Sequence, residues 1–566
     1  MFRPTEPQLS LMESRFLVSP KKRARLERSW AEAFRTHVLP LIDEEAFRSC
    51  VSGDNGRPNK SIRMLVGIHL LKEADDLTDE QVLDALEFNI QWQHAVGVLP
   101  EDAHVCEKTL HNFRHKLMDN GRAQVVFEQL TEALMKADGL SAVRQRLDST
   151  HVISNIRLLT RLGLFTETVT NFLRELRTRA PEKLVGLDDG YAKRYLDREG
   201  YFADVKREQA QRRMPVVAQD LYALVRAFEA NEEVRAWESC GLLVRLLSDQ
   251  CDVTCEPGPG DPPVKVKEPV EVESTSLQSP HDPDATYGHK GKGYEAQVAE
   301  TCVQDNAYQV ITEVRLNGAH ESDQHATAPI VEALHDRGIG PAEMLCDTGY
   351  GSGDNIIQCA EAGTELVAPV QDPAAPAVAD GWTEPVEAMC EPLAPQAATT
   401  AIEERVEDAT PLGLDAFAFN ATYDQVLACP AGAPPLYNTM NDSAVPYEAV
   451  FDPVRCARCP LADRCPTRPR NHDTERVLRY RDVRAATAHR QRAQRAREFK
   501  ERYRLRSGIE STNAELKGRH GAGHLRIRRR SRVELAITLK ALALNAKRAV
   551  QYHAMRIAEP RPSDPR

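Results

Sequence analysis

The chain has 566 residues, of which 42% are hydrophobic and 28% charged, and its formal net charge is −11 at pH 7. This length exceeds what one ordinary core organises, so we expect several domains of globular composition. The sequence has no run of eighteen apolar residues and no basic-then-apolar leader, which argues against a membrane protein and predicts a cytoplasmic location. In that compartment, thirteen cysteines indicate free thiols or a metal site rather than disulfides.

Positive charge is concentrated near the C-terminus. Between Gln491 and Val550 the chain has seventeen Lys or Arg and five Glu, a local charge of +12, so the remaining residues carry −23. A concentrated basic segment on an acidic protein is typical of a site that grips a polyanion. A basic tail without function is the alternative, but this segment has helical apolar periodicity. The charge distribution therefore favours nucleic acid as a partner.

Residues 1–140 are predicted to form an all-helical N-terminal domain. Thr78 stands three residues before Gln81, a capping box that marks the start of a helix. The segment CEKTLHNFRHKL places its leucines and phenylalanine on one side of a further helix and its basic residues around the rest. Short helices that end in a basic one suit a helix-turn-helix-like DNA-binding unit, whereas a plain bundle for packing or dimerisation remains an open alternative.

Residues 141–371 are predicted to form the first part of an α/β core. The segment VRQRLDST is a short strand with Asp148 at its end, and a charged helical insertion follows at about residues 155–275. Strand patterns then cluster in KGYEAQVAETC, YQVITEVRL, AEMLCDTGY and GTELVAPV. A helix, HATAPIVEALHDRG, precedes the third of these strands, which ends at Asp347. This order predicts a mixed sheet flanked by helices.

The rest of the chain divides into three parts. Residues 372–480 read as a second insertion, with a Pro- and Ala-rich linker that should be mobile and a small β- and Cys-rich unit. Residues 481–552 are predicted to be the C-terminal helices of the core, including the apolar VELAITLKALALNAKRAV, which should pack against the sheet. Residues 553–566 are predicted to be a disordered tail.

Four cysteines of the second insertion are candidate ligands of a structural zinc ion. Cys429, Cys456, Cys459 and Cys465 fall within 37 residues, and a CxxC knuckle followed by a third cysteine is a familiar zinc spacing. Zinc held by four thiolates would stabilise a small unit that cannot build a sufficient core. The spacing is irregular for a zinc ribbon, so free buried thiols remain the alternative.

Four polar residues near the C-terminus share one edge of a predicted helix. At 100° per residue, Tyr503, Arg506, Glu510 and Lys517 fall within an arc of about 60°. The opposite side is apolar and contains Leu505, Ile509, Thr512 and Leu516. A carboxylate with two cations and a phenol fits a surface that handles phosphate and metal. A solvated face with ordinary salt bridges, such as Arg506 with Glu510, is the alternative.

Three carboxylates stand on elements that suit catalysis. Asp148 and Asp347 come at the ends of predicted strands, and Glu510 lies on the helix edge described above. Ligands of open α/β sheets bind at such strand ends, and three converging carboxylates make an oxygen-rich site for Mg²⁺ or Mn²⁺. Two such ions can activate a water or a 3′-hydroxyl and stabilise the leaving oxygen of a phosphodiester. For either aspartate alone, a cap or turn role is the more common explanation.

These motifs resemble the DDE transposases of bacterial insertion sequences, in the class with a tyrosine, arginine, glutamate, lysine signature. Tyr503, Arg506, Glu510 and Lys517 match its gaps of two, three and six residues. The segments LDSTHV, YGHKGKGYEAQV and LCDTGYGSGDN are similar to the family's strand segments, and TLHNFRHKL is similar to its preceding helical region. The resemblance covers most of residues 40–550.

The resemblance implies a ribonuclease H-like, retroviral-integrase-like core and metal-dependent DNA strand transfer. Asp148, Asp347 and Glu510 would bind two Mg²⁺ or Mn²⁺ ions. Helix geometry supports the choice of Glu510 independently, because the neighbouring Glu515 falls at about 120° around the axis and faces elsewhere. Tyr503, Arg506 and Lys517 would contact the DNA backbone. The partners would be double-stranded DNA, at the inverted ends of the element and at the target, and a second copy of the chain when DNA is bound. Such an enzyme would associate with the bacterial nucleoid.

Some features depart from the simplest family pattern. The 199 positions between Asp148 and Asp347 are many for such a core, and the helical insertion accounts for them. Gly508 costs a helix about 1 kcal/mol relative to Ala, which indicates close backbone approach to DNA or to the sheet.

Several assignments stay open at the level of sequence. His289, Lys290 and Lys292 are further candidates for phosphate contacts. Two other functions remain possible: a structure-selective nuclease or resolvase on the ribonuclease H fold, and a non-catalytic DNA-binding regulator derived from a transposase. The presence of all three carboxylates argues against the regulator.

Overall fold

The computed structural model describes residues 18–50, 60–187, 189–197, 201–202, 207–254, 262–371, 411–470 and 474–558. The helices are α1 (Pro20–Leu26), α2 (Trp30–His37), α3 (Ile62–Ala74), α4 (Asp79–Phe88), α5 (Ile90–Val96), α6 (Glu107–Met118), α7 (Arg122–Asp138), α8 (Arg161–Arg179), α9 (Pro181–Val185), α10 (Asp189–Tyr191), α11 (Arg207–Phe228), α12 (Glu232–Arg235), α13 (Glu238–Gln250), α14 (Thr327–Asp336), α15 (Gly353–Glu361), α16 (Pro453–Ala457), α17 (Asp482–Ala493), α18 (Arg497–Tyr503), α19 (Gly508–Gly518) and α20 (Arg530–Ala558).

Fourteen strands are described in the same ranges. They are β1 (Arg144–Val152), β2 (Cys251–Val253), β3 (Val264–Val266), β4 (Thr286–Gly288), β5 (Gly291–Thr301), β6 (Ile311–Gly318), β7 (Glu343–Leu345), β8 (Glu365–Val367), β9 (Ala418–Phe419), β10 (Val426–Ala428), β11 (Tyr437–Met440), β12 (Tyr447–Phe451), β13 (Arg468–Arg470) and β14 (Glu475–Tyr480).

The central sheet has the strand order β6-β5-β1-β7-β8, with the short β4 added to the start of β5. Strand β5 is antiparallel to both β1 and β6, whereas β7 and β8 run parallel to β1. Strands β1, β5 and β6 thus form a meander. The chain then passes through helical crossovers to β7 and β8, which lie on the other side of β1. This arrangement confirms the predicted ribonuclease H-like mixed sheet.

Helices cover both faces of the sheet, which explains why β5 is buried along nearly its whole length. Tyr294, Ala296 and Val298 face a core that includes the apolar residues of α20, whereas Ala299 and Leu147 face a core built from α14 and α15. The prediction that the last apolar segment packs against the sheet is confirmed. The helix continues to Ala558, so the predicted boundary of the tail at 552 falls inside it.

The N-terminal helices pack around α20 and share its core. One continuous apolar cluster extends from Leu26 in α1 to Val550 in α20 and includes residues of the sheet. The predicted capping box is present, because Thr78 and Gln81 exchange hydrogen bonds at the start of α4. In the described ranges, no helix combines the length and apolar character needed to cross a membrane.

Both insertions carry apolar clusters of their own. Helices α8 to α13 of the first insertion, followed by the β2–β3 hairpin, enclose a separate core. The second insertion contains a four-stranded antiparallel sheet in the order β11-β12-β14-β13, with a small core beside it. The predicted mobile linker lies outside the described residues between 372 and 410, as does the tail beyond 558.

Candidate active site

The two predicted aspartates are positioned by neighbouring parallel strands. Asp148 is within β1, which runs four residues further than the sequence pattern indicated, and Asp347 follows the end of β7. Their strands are adjacent in the sheet. Burial raises the pKa of Asp148, and the negative charge of Asp347 raises it further. Two negative carboxylates that repel each other in this way favour a bound cation between them.

The segment with the tyrosine, arginine, glutamate, lysine signature is not one continuous α-helix, which corrects the sequence-based prediction. Helix α18 ends at Tyr503, a 3₁₀ turn covers Arg504–Ser507, and α19 begins at Gly508. The reason is a side chain from the sheet: Arg146 donates from Nη1 to the carbonyl oxygen of Leu505 at 3.0 Å. The buried face of α19 nevertheless consists of Ile509, Thr512 and Leu516, as predicted.

A buried ionic network holds α19 against the sheet. Glu300 of β5 is fully buried and accepts hydrogen bonds from Arg146 at 2.5 Å and from Arg548 of α20 at 2.5 Å. Thr512 of α19 donates to the same carboxylate at 2.6 Å. Because burial of a single unpaired charge is costly, these partners require one another. The network therefore determines where the helix that carries Glu510 lies.

Gly508 provides the space for this network. A Cβ atom at this position would lie 1.9 Å from Nη1 of Arg146, well inside contact distance. The close approach that the sequence indicated is therefore an approach to the sheet.

Arg506 lies between two of the predicted carboxylates. Its Nη1 atom is 4.0 Å from Oδ2 of Asp148, and its Nη2 atom is 2.5 Å from Oε1 of Glu510. The side chain of Glu510 is 61% exposed, so this ion pair is open to solvent. Among the residues that the structure describes, no three His, Cys, Asp or Glu side chains stand close enough together to hold a metal ion. The structure therefore brings Asp148 and Asp347 within electrostatic range of each other, but Glu510 is connected to Asp148 only through Arg506 and does not join the aspartates as a third ligand.

Glu515 faces the opposite direction. Its carboxylate forms an ion pair with Lys547 of α20, and His520 lies 3.9 Å away. These partners belong to the packed side of α19, away from the aspartates. The geometry agrees with the prediction that Glu510 and Glu515 point to different surroundings.

The other two signature residues flank this arrangement. Tyr503 stacks on Phe499, with ring centroids 6.0 Å apart, and the guanidinium of Arg506 lies 6.0 Å from the Tyr503 ring. Burial raises the pKa of Tyr503, so its hydroxyl stays protonated and can donate a hydrogen bond. Lys517 is exposed at the end of α19.

The sequence did not single out Asn513, which contacts a proposed metal ligand. Its Nδ2 atom donates to Oδ2 of Asp148 at 3.1 Å. A signal was available, because on an ideal helix Asn513 falls within about 20° of Arg506. An amide at this place orients the Asp148 carboxylate without adding charge.

The three candidates from the YGHKGKGYEAQV segment lie in different surroundings. Lys290 donates to Oγ of Ser149 at 2.9 Å and forms an ion pair with Glu295 at 3.1 Å. It therefore contacts the residue that directly follows Asp148. His289 is exposed and lines the same cleft as Lys290. Lys292 instead donates to the carbonyl oxygen of Leu159 at 2.9 Å, and burial lowers its pKa. That contact ties it to the helical insertion.

The four cysteines of the second insertion surround one small core. All four are half-buried free thiols, and three of them, Cys429, Cys456 and Cys465, pack against the same apolar cluster. Burial raises the pKa of Cys456, and the other three thiols raise it further, so all four lie within electrostatic range. Among the residues that the structure describes, these thiols do not form a group of three or more arranged to hold a metal ion.

The sheet order, the aspartates on adjacent parallel strands and the basic C-terminal helices define a ribonuclease H-like enzyme that acts on nucleic acid. Two family models agree with this class. A transposase DDE domain matches residues 265–546, and a second transposase domain, DUF772, matches residues 24–116. The chain belongs to the DDE transposases of insertion sequences. It is a DNA transposase, an enzyme that cuts DNA and transfers strands.

No curated protein and no solved structure matches the chain. No finding favours the structure-selective nuclease or the non-catalytic regulator, since both family matches are to transposase domains. Members of this family generally use divalent metal ions, and their substrate is DNA.

Proposed function

We propose that Asp148, Asp347 and Glu510 are the metal-binding triad of this transposase. The observation that carries the proposal is the position of Arg506, which contacts Glu510 and lies 4.0 Å from Asp148. The Glu510 side chain is 61% exposed, so a change of its rotamer away from the guanidinium meets little packing. The donor set is all carboxylate oxygen, which suits a hard cation such as Mg²⁺ or Mn²⁺.

Two such cations, when bound, supply the charge that activates an attacking water or 3′-hydroxyl and stabilises the leaving oxygen. The chain's own residues then have separate tasks. Asn513 holds one oxygen of Asp148, so that the carboxylate keeps its orientation. Arg506, once released from Glu510, is free to bind a DNA phosphate with its fork of donors.

Tyr503 and Lys517 extend this contact along the backbone. The neutral hydroxyl of Tyr503 donates to a phosphate oxygen, and the exposed ammonium of Lys517 adds sequence-independent, salt-sensitive affinity. Lys290, with His289 beside it, approaches from the side of β1 where Ser149 lies. DNA would therefore be held from both sides of Asp148.

The reaction we infer has two steps at the same site. The enzyme hydrolyses the phosphodiester at an inverted end of its element, and the freed 3′-hydroxyl then attacks the target DNA in line with the leaving oxygen. Joining two ends requires two active sites in one complex, so we propose a homodimer on DNA. The second insertion would bind a structural Zn²⁺ through Cys429, Cys456, Cys459 and Cys465, since four thiolates suit that ion in kind and number.

The variant Asp347→Asn tests the triad. We expect it to bind a duplex carrying the inverted repeat that flanks the gene as tightly as the unmodified protein in EDTA, and to lose Mg²⁺-dependent cleavage. Asp305→Asn, in an exposed turn, is the matched control and should cleave normally. Equal cleavage by Asp347→Asn would refute the assignment. Strand transfer is tested with a pre-cut end: a transposase joins it to plasmid DNA, and a simple nuclease yields no joined product.

A further inference from the structure

The backbone of the sheet does not by itself determine how far apart the two aspartates lie. Strands β1 and β7 are paired only between Arg144–Arg146 and Glu343–Leu345. Asp148 and Asp347 each come two residues after the last paired position. Beyond Leu345 the chain turns its hydrogen bonding to β8, because the amide of Cys346 donates to Val367 at 3.2 Å. The two strands therefore diverge before they reach Asp148 and Asp347, and no backbone pairing connects the two aspartates.

A chain of side-chain hydrogen bonds, here called the bridge, connects the two diverging segments. Ser149, the residue after Asp148, donates from Oγ to Oδ2 of Asp323 at 3.1 Å. Gln297 of β5, which is paired with Ser149 across the sheet, donates from Nε2 to Oδ1 of the same carboxylate at 2.6 Å. The hydroxyl of Tyr350 donates to Oε1 of Gln297 at 2.5 Å.

The last link returns to Asp347. The backbone amide of Tyr350 donates to the carbonyl oxygen of Asp347 at 3.2 Å. A Cβ atom on Gly349 would lie 3.0 Å from Oδ1 of Asp347 and 3.8 Å from Oδ2 of Asp323, so the carboxylates of Asp347 and Asp323 both lie close to Gly349. A continuous chain of hydrogen bonds thus connects the residue after Asp148 with the turn after Asp347.

Burial makes this bridge rigid. Gln297 is 1% exposed and Tyr350 is fully buried, and both ends of the Gln297 amide are used. Asn355 of α15 holds the carbonyl oxygen of Tyr350 at 2.8 Å and also bonds Thr327 of α14. A buried polar network of this kind tolerates little displacement, because any broken bond leaves an unsatisfied group away from water.

We propose that Gln297 and Tyr350 are positioning residues that set the separation of Asp148 and Asp347 for a divalent cation. They contact neither DNA nor the cation; they act through the turn that follows Asp347 and through Asp323. This inference rests on the proposed metal-binding role of the two aspartates. It adds residues from β5 and from the loop before α15 to the determinants of metal affinity.

The test is Tyr350→Phe, which removes one hydroxyl and keeps the ring. Binding of Mn²⁺ to the full-length protein without DNA is followed by electron paramagnetic resonance during titration with MnCl₂. We expect the affinity to fall at least fivefold and the Mg²⁺ concentration for half-maximal cleavage to rise in parallel, with binding of end DNA in EDTA unchanged. The matched control is Tyr195→Phe, which loses a hydrogen bond to Asp220 in the separate core of the helical insertion. It should leave Mn²⁺ affinity unchanged.

A folded Tyr350→Phe protein with unaltered Mn²⁺ affinity would overturn the inference. Should that variant fail to fold, Asp323→Asn decides, since it places an amide hydrogen against one of the two donors and should weaken Mn²⁺ binding in the same direction; normal affinity would refute the bridge. If the unmodified protein cleaves end DNA and binds Mn²⁺ while these variants match it, only the bridge is refuted. Absence of Mn²⁺ binding by the unmodified protein refutes the metal site and the bridge together.

Discussion

Glu510 is ion-paired with Arg506, with 2.5 Å between Oε1 and Nη2, and the same guanidinium lies 4.0 Å from Asp148. The third carboxylate of the proposed triad is thus neutralised by the residue that is proposed to bind DNA. Under the proposed role of Arg506, a DNA phosphate would compete with Glu510 for its guanidinium, because both are anions that fit its donors. Arrival of DNA would release Glu510 at the moment when the cation needs it, which couples substrate binding to completion of the metal site.

Loss of charge at the two glutamates of α19 should affect different properties: catalysis at Glu510 and stability at Glu515. Glu510→Gln is expected to lower the rate of end cleavage on the order of 100-fold or more, with stability nearly unchanged, because an exposed ion pair contributes about 0–1 kcal/mol. Glu515→Gln should keep cleavage within a fewfold of normal and lower the free energy of unfolding by about 1 kcal/mol, since Lys547 loses its partner. Cleavage assays and urea unfolding measure both; a catalytic loss in Glu515→Gln alone would reverse the assignment.

Replacement of Gly508 by Ala should lower the free energy of unfolding, whereas the same replacement at Gly241 should not. The added methyl of Gly508→Ala would meet Arg146 at 1.9 Å and displace it from Leu505 and Glu300, so we expect a loss of about 1–3 kcal/mol in unfolding free energy. Gly241→Ala in α13 meets nothing within 4 Å and should be neutral or stabilising by up to about 1 kcal/mol. Equal stabilities of the two variants in urea would argue against the close packing.

The N-terminal helices contain an ion pair whose effect depends on pH. Arg114 of α6 donates to both oxygens of Asp79 at 2.8 and 2.6 Å. Burial alone would raise the pKa of Asp79, but the hydrogen bonds and charge of Arg114, together with the charge of Lys72 at 3.8 Å, outweigh burial and hold the pKa below its ordinary value. This stabilisation is therefore present above the unfolded pKa and is lost as pH falls through the lower folded pKa.

Asp79→Asn should accordingly cost about 1–2 kcal/mol at pH 7, and the difference from the unmodified protein should shrink toward zero below about pH 3. Urea unfolding at a series of pH values measures it. A constant difference across the series would mean that the loss comes from packing rather than from charge.

The zinc content of cysteine variants tests the proposed metal site of the second insertion. Purified protein should contain about one zinc per chain by atomic absorption, and the double variant Cys456→Ser, Cys459→Ser should contain none and unfold the small sheet at a lower temperature. Cys106→Ser, an exposed thiol in the loop before α6, serves as the control and should retain zinc. Equal metal content in all three proteins would leave the cysteines as free thiols.

Much of the site could be predicted because its parts are local. The segments around Asp148 and Asp347 have strand patterns, although β7 is only three residues long and ends before Asp347, and α19 has a periodicity that separates Ile509 and Leu516 from Glu510. The four signature residues have fixed gaps, so their recognition needs no coordinates. What failed was continuity: the helix breaks into a 3₁₀ turn at Arg504–Ser507 because a side chain from β1 binds its backbone.

The sequence by itself determined the family, the order of strands and helices, and which carboxylates are candidates, since each of these follows from residues near one another in the chain. Only the tertiary structure decided how they meet. Asn513 and Asp148 are 365 positions apart, and Tyr350 reaches Gln297 from 53 positions away. Such contacts depend on how the strands pair and where the helices pack; helical periodicity places Asn513 on the same side as Arg506 but does not place it beside Asp148. The pairing of Glu510 with Arg506 is local in spacing, yet its place beside Asp148 is decided by the buried network of Glu300.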